Sequence, residues 1–259
     1  MKFMKVRNIE LGEGRPKICV PLTGKTQKEL IEQLDKMDGK PFDLVEWRVD
    51  FFEGVFDENA VVPMIHEIRK SLKDTPLLFT FRTKWEGGQR EISPEAYERL
   101  NALAAQTGEV DLIDVELFRL PQMGAQMQEV LKKYNVKMAG SNHDFEKTPP
   151  AQEITRRLTM MMENGADIPK IAVMPRSSRD VLNLLEATLT FHERYPEVPV
   201  ITMAMGGLGV ISRMSGEIFG SAVTFGSVAA ASAPGQIPTE KLDDILQTLH
   251  LNLEHSHQI

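Results

Sequence analysis

Ile168-Pro169-Lys170-Ile171-Ala172-Val173-Met174-Pro175 is a short apolar run punctuated by prolines, with one charge inside it. It reads as a buried strand. An isolated ammonium is too costly to desolvate, so Lys170 is expected to be either paired or deprotonated. A lysine kept neutral in a dry site is a nucleophile for carbonyl carbon. Taken alone, the run favours the plainer reading, a strand-end lysine with its head in water or on a carboxylate. What changes the balance is the rest of the chain.

Seven other apolar runs share this character: Lys17–Leu22, Phe42–Asp50, Pro76–Thr83, Val110–Leu117, Val136–Phe145, Val198–Met205 and Ser221–Gly226. Amphipathic segments lie between them. Ala96, Leu100, Leu103 and Ala104 recur at helical spacing, as do Ile154, Leu158, Met161 and Met162, and Val181, Leu184, Leu185 and Leu189. Ser93-Pro94-Glu95 places a cap residue before a first-turn proline, and Thr148-Pro149 and Thr239-Glu240 look similar. Eight strands each followed by a helix, in 259 residues, predict an α/β fold of the (β/α)8 TIM-barrel type. An open doubly wound sheet would need a glycine-rich dinucleotide turn after its first strand, and Pro21-Leu22-Thr23-Gly24 does not supply one. The stretch from Val6 to Pro16, with Gly12-Glu13-Gly14 as its turn, is expected to form an N-terminal β-hairpin closing the bottom of the barrel. No linker or low-complexity segment interrupts the chain, so residues 1–259 are expected to form one barrel domain.

The net charge is −7, from 30 basic and 37 acidic residues, which argues against nucleic acid as a partner. Any arginines serving an anionic ligand must then be concentrated in one place. A single cysteine, Cys19, rules out a disulfide framework and a cysteine-built zinc site, and its apolar neighbours make it a core residue. No apolar stretch reaches the roughly 18 residues needed to span a bilayer. The N-terminus, Met1-Lys2-Phe3-Met4-Lys5, lacks a signal-peptide core. A cytoplasmic protein without membrane partners is expected. The tail Glu254-His255-Ser256-His257 reads as a frayed end rather than a metal site.

In such barrels the chemistry sits at the C-terminal ends of the strands. The second run ends Glu46-Trp47-Arg48-Val49-Asp50. By alternation Glu46, Arg48 and Asp50 share one face, pointing into the barrel, where a Glu46–Arg48 ion pair is expected that can also orient arginine donors at a ligand. The third run ends in Arg82 and is followed by Glu86-Gly87-Gly88, glycines that let the backbone approach a ligand. The fourth carries Asp114 and Glu116, a pair that can bind a metal or neutralise a nearby lysine; without further clustered ligands no metal is expected. The fifth ends Ser141-Asn142-His143-Asp144-Phe145, placing His143 for proton transfer, with Glu86 across the site a better partner than adjacent Asp144. Arg213 follows Met205-Gly206-Gly207 and is expected near a helix start, facing an anion. Ala231-Ser232-Ala233-Pro234-Gly235-Gln236 reads as a mobile loop able to close over a ligand.

Together these segments resemble the type I 3-dehydroquinate dehydratases, the Schiff-base enzymes of the shikimate pathway of aromatic amino acid biosynthesis. The matching pieces are Glu46–Asp50, Phe79–Arg82, Glu86–Gly88, Ser141–Phe145, Pro169–Ala172, Gly209–Arg213 and Ala231–Gln236, in family order. The resemblance implies that Lys170 forms an imine with the substrate ketone, that His143 shuttles protons and that Glu86 orients it. It implies that Arg213 holds the substrate carboxylate, that Glu46, Arg48 and Arg82 hold ring hydroxyls, and that Ser232 and Gln236 close over the ligand. Met203 and Met205 match positions that pack on the ring. No cofactor or metal is implied, and a homodimer is. Two places depart from the family pattern: Val20-Pro21-Leu22, where some relatives carry a serine, and the glycine-rich Met205–Gly209.

The chemistry is consistent with this. Dehydrating a β-hydroxy ketone needs a proton removed beside the carbonyl, and an iminium is a better electron sink than a neutral ketone. Attack needs the free amine, so the pKa of Lys170 is expected to fall from about 10.4 toward roughly 7–8. A single histidine acting as base and then acid predicts syn elimination. Two other functions remain open at this level: a Schiff-base aldolase binding phosphate through Gly206-Gly207, and a non-catalytic barrel that binds an anion.

Overall fold

The computed structural model describes residues 4–228 and 233–256. In chain order the elements are strands β1 (Met4–Val6), β2 (Ile9–Leu11) and β3 (Lys17–Leu22), helix α1 (Gln27–Lys36), β4 (Leu44–Arg48), α2 (Glu58–Leu72), β5 (Leu77–Thr80), α3 (Pro94–Gln106), β6 (Leu112–Val115), α4 (Met123–Lys133), β7 (Lys137–Asp144), α5 (Ala151–Glu163), β8 (Ile168–Val173), α6 (Ser178–Arg194), β9 (Ile201–Ala204), the short α7 (Val210–Met214) and α8 (Gly216–Phe219), β10 (Val223–Ser227), β11 (Ile237–Pro238) and α9 (Thr239–Ser256). The helix starts are chemically marked. Thr26, Asp57, Ser93 and Ser177 each accept a backbone N–H of the first turn, and Ser177 with Asp180 completes a reciprocal capping box.

Strands β3 to β10 pair in parallel in sequence order. The sheet closes on itself where Val200 bridges Ser221 and the Ala222 N–H donates to the Val200 carbonyl at 2.8 Å. This is the (β/α)8 barrel. Alternation sorts the side chains. Val45, Trp47, Phe79, Ile113, Ile171 and Val173 face the helices and join the large outer core. Leu44, Leu78, Leu112, Ile168, Ile201 and Val223 belong to a separate inner cluster at the N-terminal end. Val6, Ile9 and Leu11 of the β1–β2 hairpin pack into that same inner cluster and plug the bottom.

Several expected boundaries shift. The hairpin turn falls at Arg7-Asn8, with Arg7 at φ 49°, so Gly12-Glu13-Gly14 instead leads into β3. Strand β4 stops at Arg48, because Val49–Phe51 coils into a 3-10 turn. Helix α5 begins at Ala151, after Pro149-Pro150 rather than at Thr148-Pro149. Helix α9 stays helical through Ser256, and residues 257–259 lie outside the described residues.

Candidate active site

Two residues beyond the apolar bottom layer, the same strands turn their inward positions polar. Glu46 follows Leu44, Thr80 follows Leu78, Asp114 follows Leu112 and Lys170 follows Ile168. Glu46 and Lys170 open into a cavity of about 100 Å³. It is lined by Lys170, His143 and Glu86, by Glu46, Arg48, Arg82 and Arg213, and by Met203, Met205 and Gln236. Ser232 lies outside the described residues.

Lys170 is 2% exposed, and its Nζ donates to Asp114 Oδ2 at 3.0 Å and Glu46 Oε1 at 3.2 Å. The Phe225 ring covers it from another side, 4.9 Å from Nζ. Burial alone pulls the lysine pKa down, but the Glu46 and Asp114 charges outweigh it and raise the pKa above the ordinary value. The expected depression toward neutrality is therefore corrected: in this state Lys170 is an ammonium. The Arg82 charge opposes those of Glu46 and Asp114 only in part, and its Nη2 sits 2.7 Å from Asp114 Oδ2. The expected Glu46–Arg48 pair is corrected too. Glu46 accepts from Lys170 and from Thr80 Oγ1 at 2.9 Å, while Arg48 grips Asp50 with Nε at 2.8 Å and Nη2 at 2.9 Å. The turn after β4 folds Asp50 back onto its own strand end.

His143 meets Glu86 as expected, Nδ1 to Oε2 at 3.0 Å. Glu86 Oε2 also accepts the His143 backbone N–H at 2.8 Å, and Oε1 accepts from Asn142 Nδ2 at 3.2 Å. Gly87 closes the turn carrying Glu86 at φ +83°, and a Cβ there would strike the Phe145 ring at 2.3 Å. Burial first, and then the Arg82 and Lys170 charges, hold the His143 pKa well below the ordinary imidazole value. Burial and the nearby Glu116 charge push Glu86 up to about 8. Glu86 thus takes up a proton as the pH falls through about 8, beside an imidazole it touches.

Arg213 occupies the last turn of the five-residue α7, not a helix start. It is 1% exposed, and among the described residues it has no carboxylate partner. Its Nη2 donates to the Pro234 carbonyl at 3.1 Å, its Nη1 lies 3.9 Å from Met203 Sδ, and its Nε is buried without an acceptor. Burial lowers its pKa to about 10, so it stays charged at neutral pH. A buried cation lining a cavity in this way calls for an anion. The Pro234 carbonyl also receives the Gly206 N–H at 3.1 Å, which engages a backbone donor considered above for phosphate. Gly235, at φ +81°, lets that loop approach: a Cβ would lie 2.5 Å from the Gly206 oxygen.

The sequence pattern leaves Asp114 between a metal and a lysine and gives no place to Phe225, Ala172 or Phe145, three residues that line the cavity. Alternation was the available signal for Phe225 and Ala172, since each lies two residues from an inward-facing neighbour. The comparisons fit the geometry. The family described as Type I 3-dehydroquinase matches residues 18–253. A 3-dehydroquinate dehydratase of Bacillus licheniformis is 52% identical over 252 residues, covering 97% of this chain and 99% of that protein. The crystal structure of the type I 3-dehydroquinate dehydratase of Clostridium difficile with covalently modified comenic acid superposes with a TM-score of 0.94 at 50% identity, covering 97% and 100% of the two chains. The 3-dehydroquinate dehydratase structure from Geobacillus kaustophilus gives 0.93 at 38% identity, covering 96% and 97%. With a family match spanning most of the barrel and relatives this similar along nearly the whole length, the chain belongs to the type I 3-dehydroquinase family.

Proposed function

We propose that this barrel dehydrates 3-dehydroquinate to 3-dehydroshikimate through a Schiff base on Lys170, with syn loss of water. The observation that carries the reading is the meeting, in one cavity, of a buried lysine, a His143–Glu86 pair and an arginine that has no carboxylate partner among the described residues. In this reading Arg213 binds the substrate carboxylate, and Arg48, Arg82 and Glu46 contact ring hydroxyls. Met203 and Met205 pack on the ring, and Gln236 with Ser232 closes over it.

Lys170 must first lose a proton. The acceptors in reach are Asp114 and Glu46, both already in hydrogen-bonding contact with Nζ. The amine adds to the ketone, and the carbinolamine expels water to give an iminium. Ammonium and iminium carry the same charge, so the two carboxylates that hold the first also stabilise the second. His143 then takes the α-proton on Nε2, the ring nitrogen not engaged by Glu86, and the electron pair flows into the iminium. The resulting enamine returns the pair and expels the β-hydroxyl, which leaves as water with the proton from His143. Water finally hydrolyses the conjugated imine and frees Lys170. One group acting as base and then acid works on one face, which gives the syn stereochemistry.

The engagement of the Gly206 N–H by Pro234 weakens the phosphate-binding aldolase reading. The proposal includes a single barrel domain over residues 1–259 and a homodimer, which rests on the family resemblance. It also includes a cytoplasmic location without nucleic-acid or membrane partners. Supporting these are the acidic net charge and, among the described residues, the absence of any helix long and apolar enough to cross a membrane. The test is turnover of 3-dehydroquinate together with borohydride treatment and intact mass. A reduced adduct at Lys170 is expected. An adduct with a sugar phosphate and none with dehydroquinate would favour the aldolase, and no adduct with either would favour a binding protein.

A further inference from the structure

Glu116 lies one residue past the end of β6, fully buried, beside the cavity but not lining it. Its carboxylate is fully engaged. Oε1 accepts from Arg82 Nη1 at 2.9 Å and from the Thr83 N–H at 2.8 Å, and Oε2 accepts from Thr83 Oγ1 at 2.6 Å. Its backbone is pinned as well. The Glu116 N–H donates to Tyr97 Oη at 3.2 Å, and the Tyr97 hydroxyl donates to the Asp114 carbonyl at 3.0 Å. A buried ionised carboxylate is an expensive way to fill space, because apolar packing alone can stabilise such a position as well. Among the described residues every side-chain bond of Glu116 falls on Arg82 and Thr83, and the next three residues, Lys84–Glu86, form the 3-10 turn that ends in Glu86.

We propose that Glu116 is a positioning residue of the reaction: through Arg82 and Thr83 it fixes the turn carrying Glu86, and so holds Glu86 on His143. The inference rests on the reading of His143 and Glu86 as the proton-transfer pair. A second link runs through the other arm of Arg82. Nη1 is held by Glu116, while Nη2 contacts Asp114, the carboxylate that holds Lys170. One guanidinium thereby sets the two halves of the site at a fixed separation, and Glu116 fixes the guanidinium.

Charge adds to geometry. The groups facing Glu86 are Arg82 on its own segment, Asp114 and Glu116 at the end of β6, Asn142 and His143 on β7, and Arg119 after β6 with Nε 3.6 Å from Oε1. Among the neighbouring charges Glu116 contributes most to raising the Glu86 pKa, opposed by Arg82. Removing the Glu116 charge should make Glu86 easier to ionise.

Glu116→Gln tests this. The amide can still accept from Arg82 and Thr83 with one oxygen, but the charge is gone. Expected are a fall in kcat of on the order of tenfold, short of the roughly 10²–10⁴-fold lost with a general acid–base group itself because Glu116 acts through Glu86, a KM within about twofold of the parent, and a rising pH–rate limb displaced to lower pH. A role confined to stability would lower the melting temperature and leave the limb where it was. Glu116→Asp, which keeps the charge on a shorter stem, should lower kcat without moving the limb. If Glu116→Gln does not fold, Thr83→Val decides. It removes the 2.6 Å hydroxyl contact and should lower kcat several-fold at unchanged KM. An unchanged pH limb and kcat in Glu116→Gln, or in its absence an unchanged kcat in Thr83→Val, would overturn the proposal. Parent enzyme assayed alongside separates the cases, since failure of the parent to turn over 3-dehydroquinate condemns the functional reading instead.

Discussion

The bottom and the top of this barrel are made by the same strands, two residues apart, and they are held by different physics. At the bottom, Leu44, Leu78, Leu112 and Ile168 meet the hairpin residues Val6, Ile9 and Leu11. Their burial removes apolar surface from water at about 25 cal/mol per Å², without directional demands. At the top, Glu46, Asp114, Glu116, Lys170 and Arg82 are equally buried but charged. Each is tolerable only because a neighbour of opposite sign or a hydrogen-bond donor is in place. Such a layer adds little net stability, and it is fragile, because removing one partner strands the other. Stability therefore resides mainly in the lower layer, and the upper layer is free to be organised for chemistry.

The sharpest way to test that contrast is at Lys170. Lys170→Ala should abolish borohydride trapping and nearly all turnover. It should also destabilise the fold by about 3–5 kcal/mol, because Glu46 and Asp114 lose their shared cation. Asp114 keeps Arg82 and Ser141, so Glu46 is the carboxylate that is left most exposed to the loss. Denaturant unfolding of both proteins checks this, and trapping at a different lysine would refute the assignment.

His143→Ala comes next. Losing a general acid–base group lowers the rate by roughly 10²–10⁴-fold, and imine should accumulate because it is broken slowly. Unimpaired dehydration in this variant would make the histidine structural. The parent enzyme carries a related pH signature. Below about 8 the His143–Glu86 pair holds an extra proton. If that proton sits on the imidazole, Nε2 is blocked; if it sits on Glu86 and is donated to Nδ1, the ring's own proton moves to Nε2. In both arrangements the base is lost. Turnover should therefore rise with pH toward a plateau above about 8, falling about tenfold per unit well below it. A profile flat from pH 6 to 9 would mean that another group removes the α-proton.

What was legible in the sequence follows the same division. Buried parallel strands read as continuous apolar runs, so the barrel and its strand order could be read from pattern alone. Ends of strands were read too long wherever ladder pairing stops before the apolar run does, as after Arg48. The charge state of Lys170 is not legible from its own run, for a concrete reason. Its partners Asp114 and Glu46 lie 56 and 124 residues away, and only the closed barrel brings them within 3.2 Å. Alternation puts Glu46 beside Arg48, but the 3-10 turn at Val49–Phe51 folds Asp50 back onto Arg48 instead, and a turn of that kind leaves no mark in the apolar run. The contact of His143 with Glu86 is found as expected: His143 stands near the end of β7, where register dictates inward placement, and the 3-10 turn after β5 brings Glu86 to it.

Arg213 should show a smaller but specific effect. Arg213→Lys keeps the charge but loses the planar fork, so it should cost on the order of 1.5–3 kcal/mol in substrate binding. The change should appear mainly in KM. An unchanged KM would mean that the carboxylate is held elsewhere, with Arg48 and Arg82 the candidates.

The smallest effect on activity is expected where stability is most at stake. Leu78 is 1% exposed, faces the inner cluster on β5, and lies two residues below Thr80, whose hydroxyl holds Glu46. Leu78→Ala should destabilise the fold by about 2–5 kcal/mol through lost burial and an unfilled cavity. It should nonetheless leave kcat and KM within about twofold well below the melting temperature, because the polar layer is positioned by its own ion pairs and hydrogen bonds. Thermal unfolding and steady-state kinetics on the same preparation measure both. If Leu78→Ala lowers kcat as strongly as it lowers stability, the two layers are mechanically coupled through the strand, and the separation of a stabilising lower layer from a reactive upper one fails.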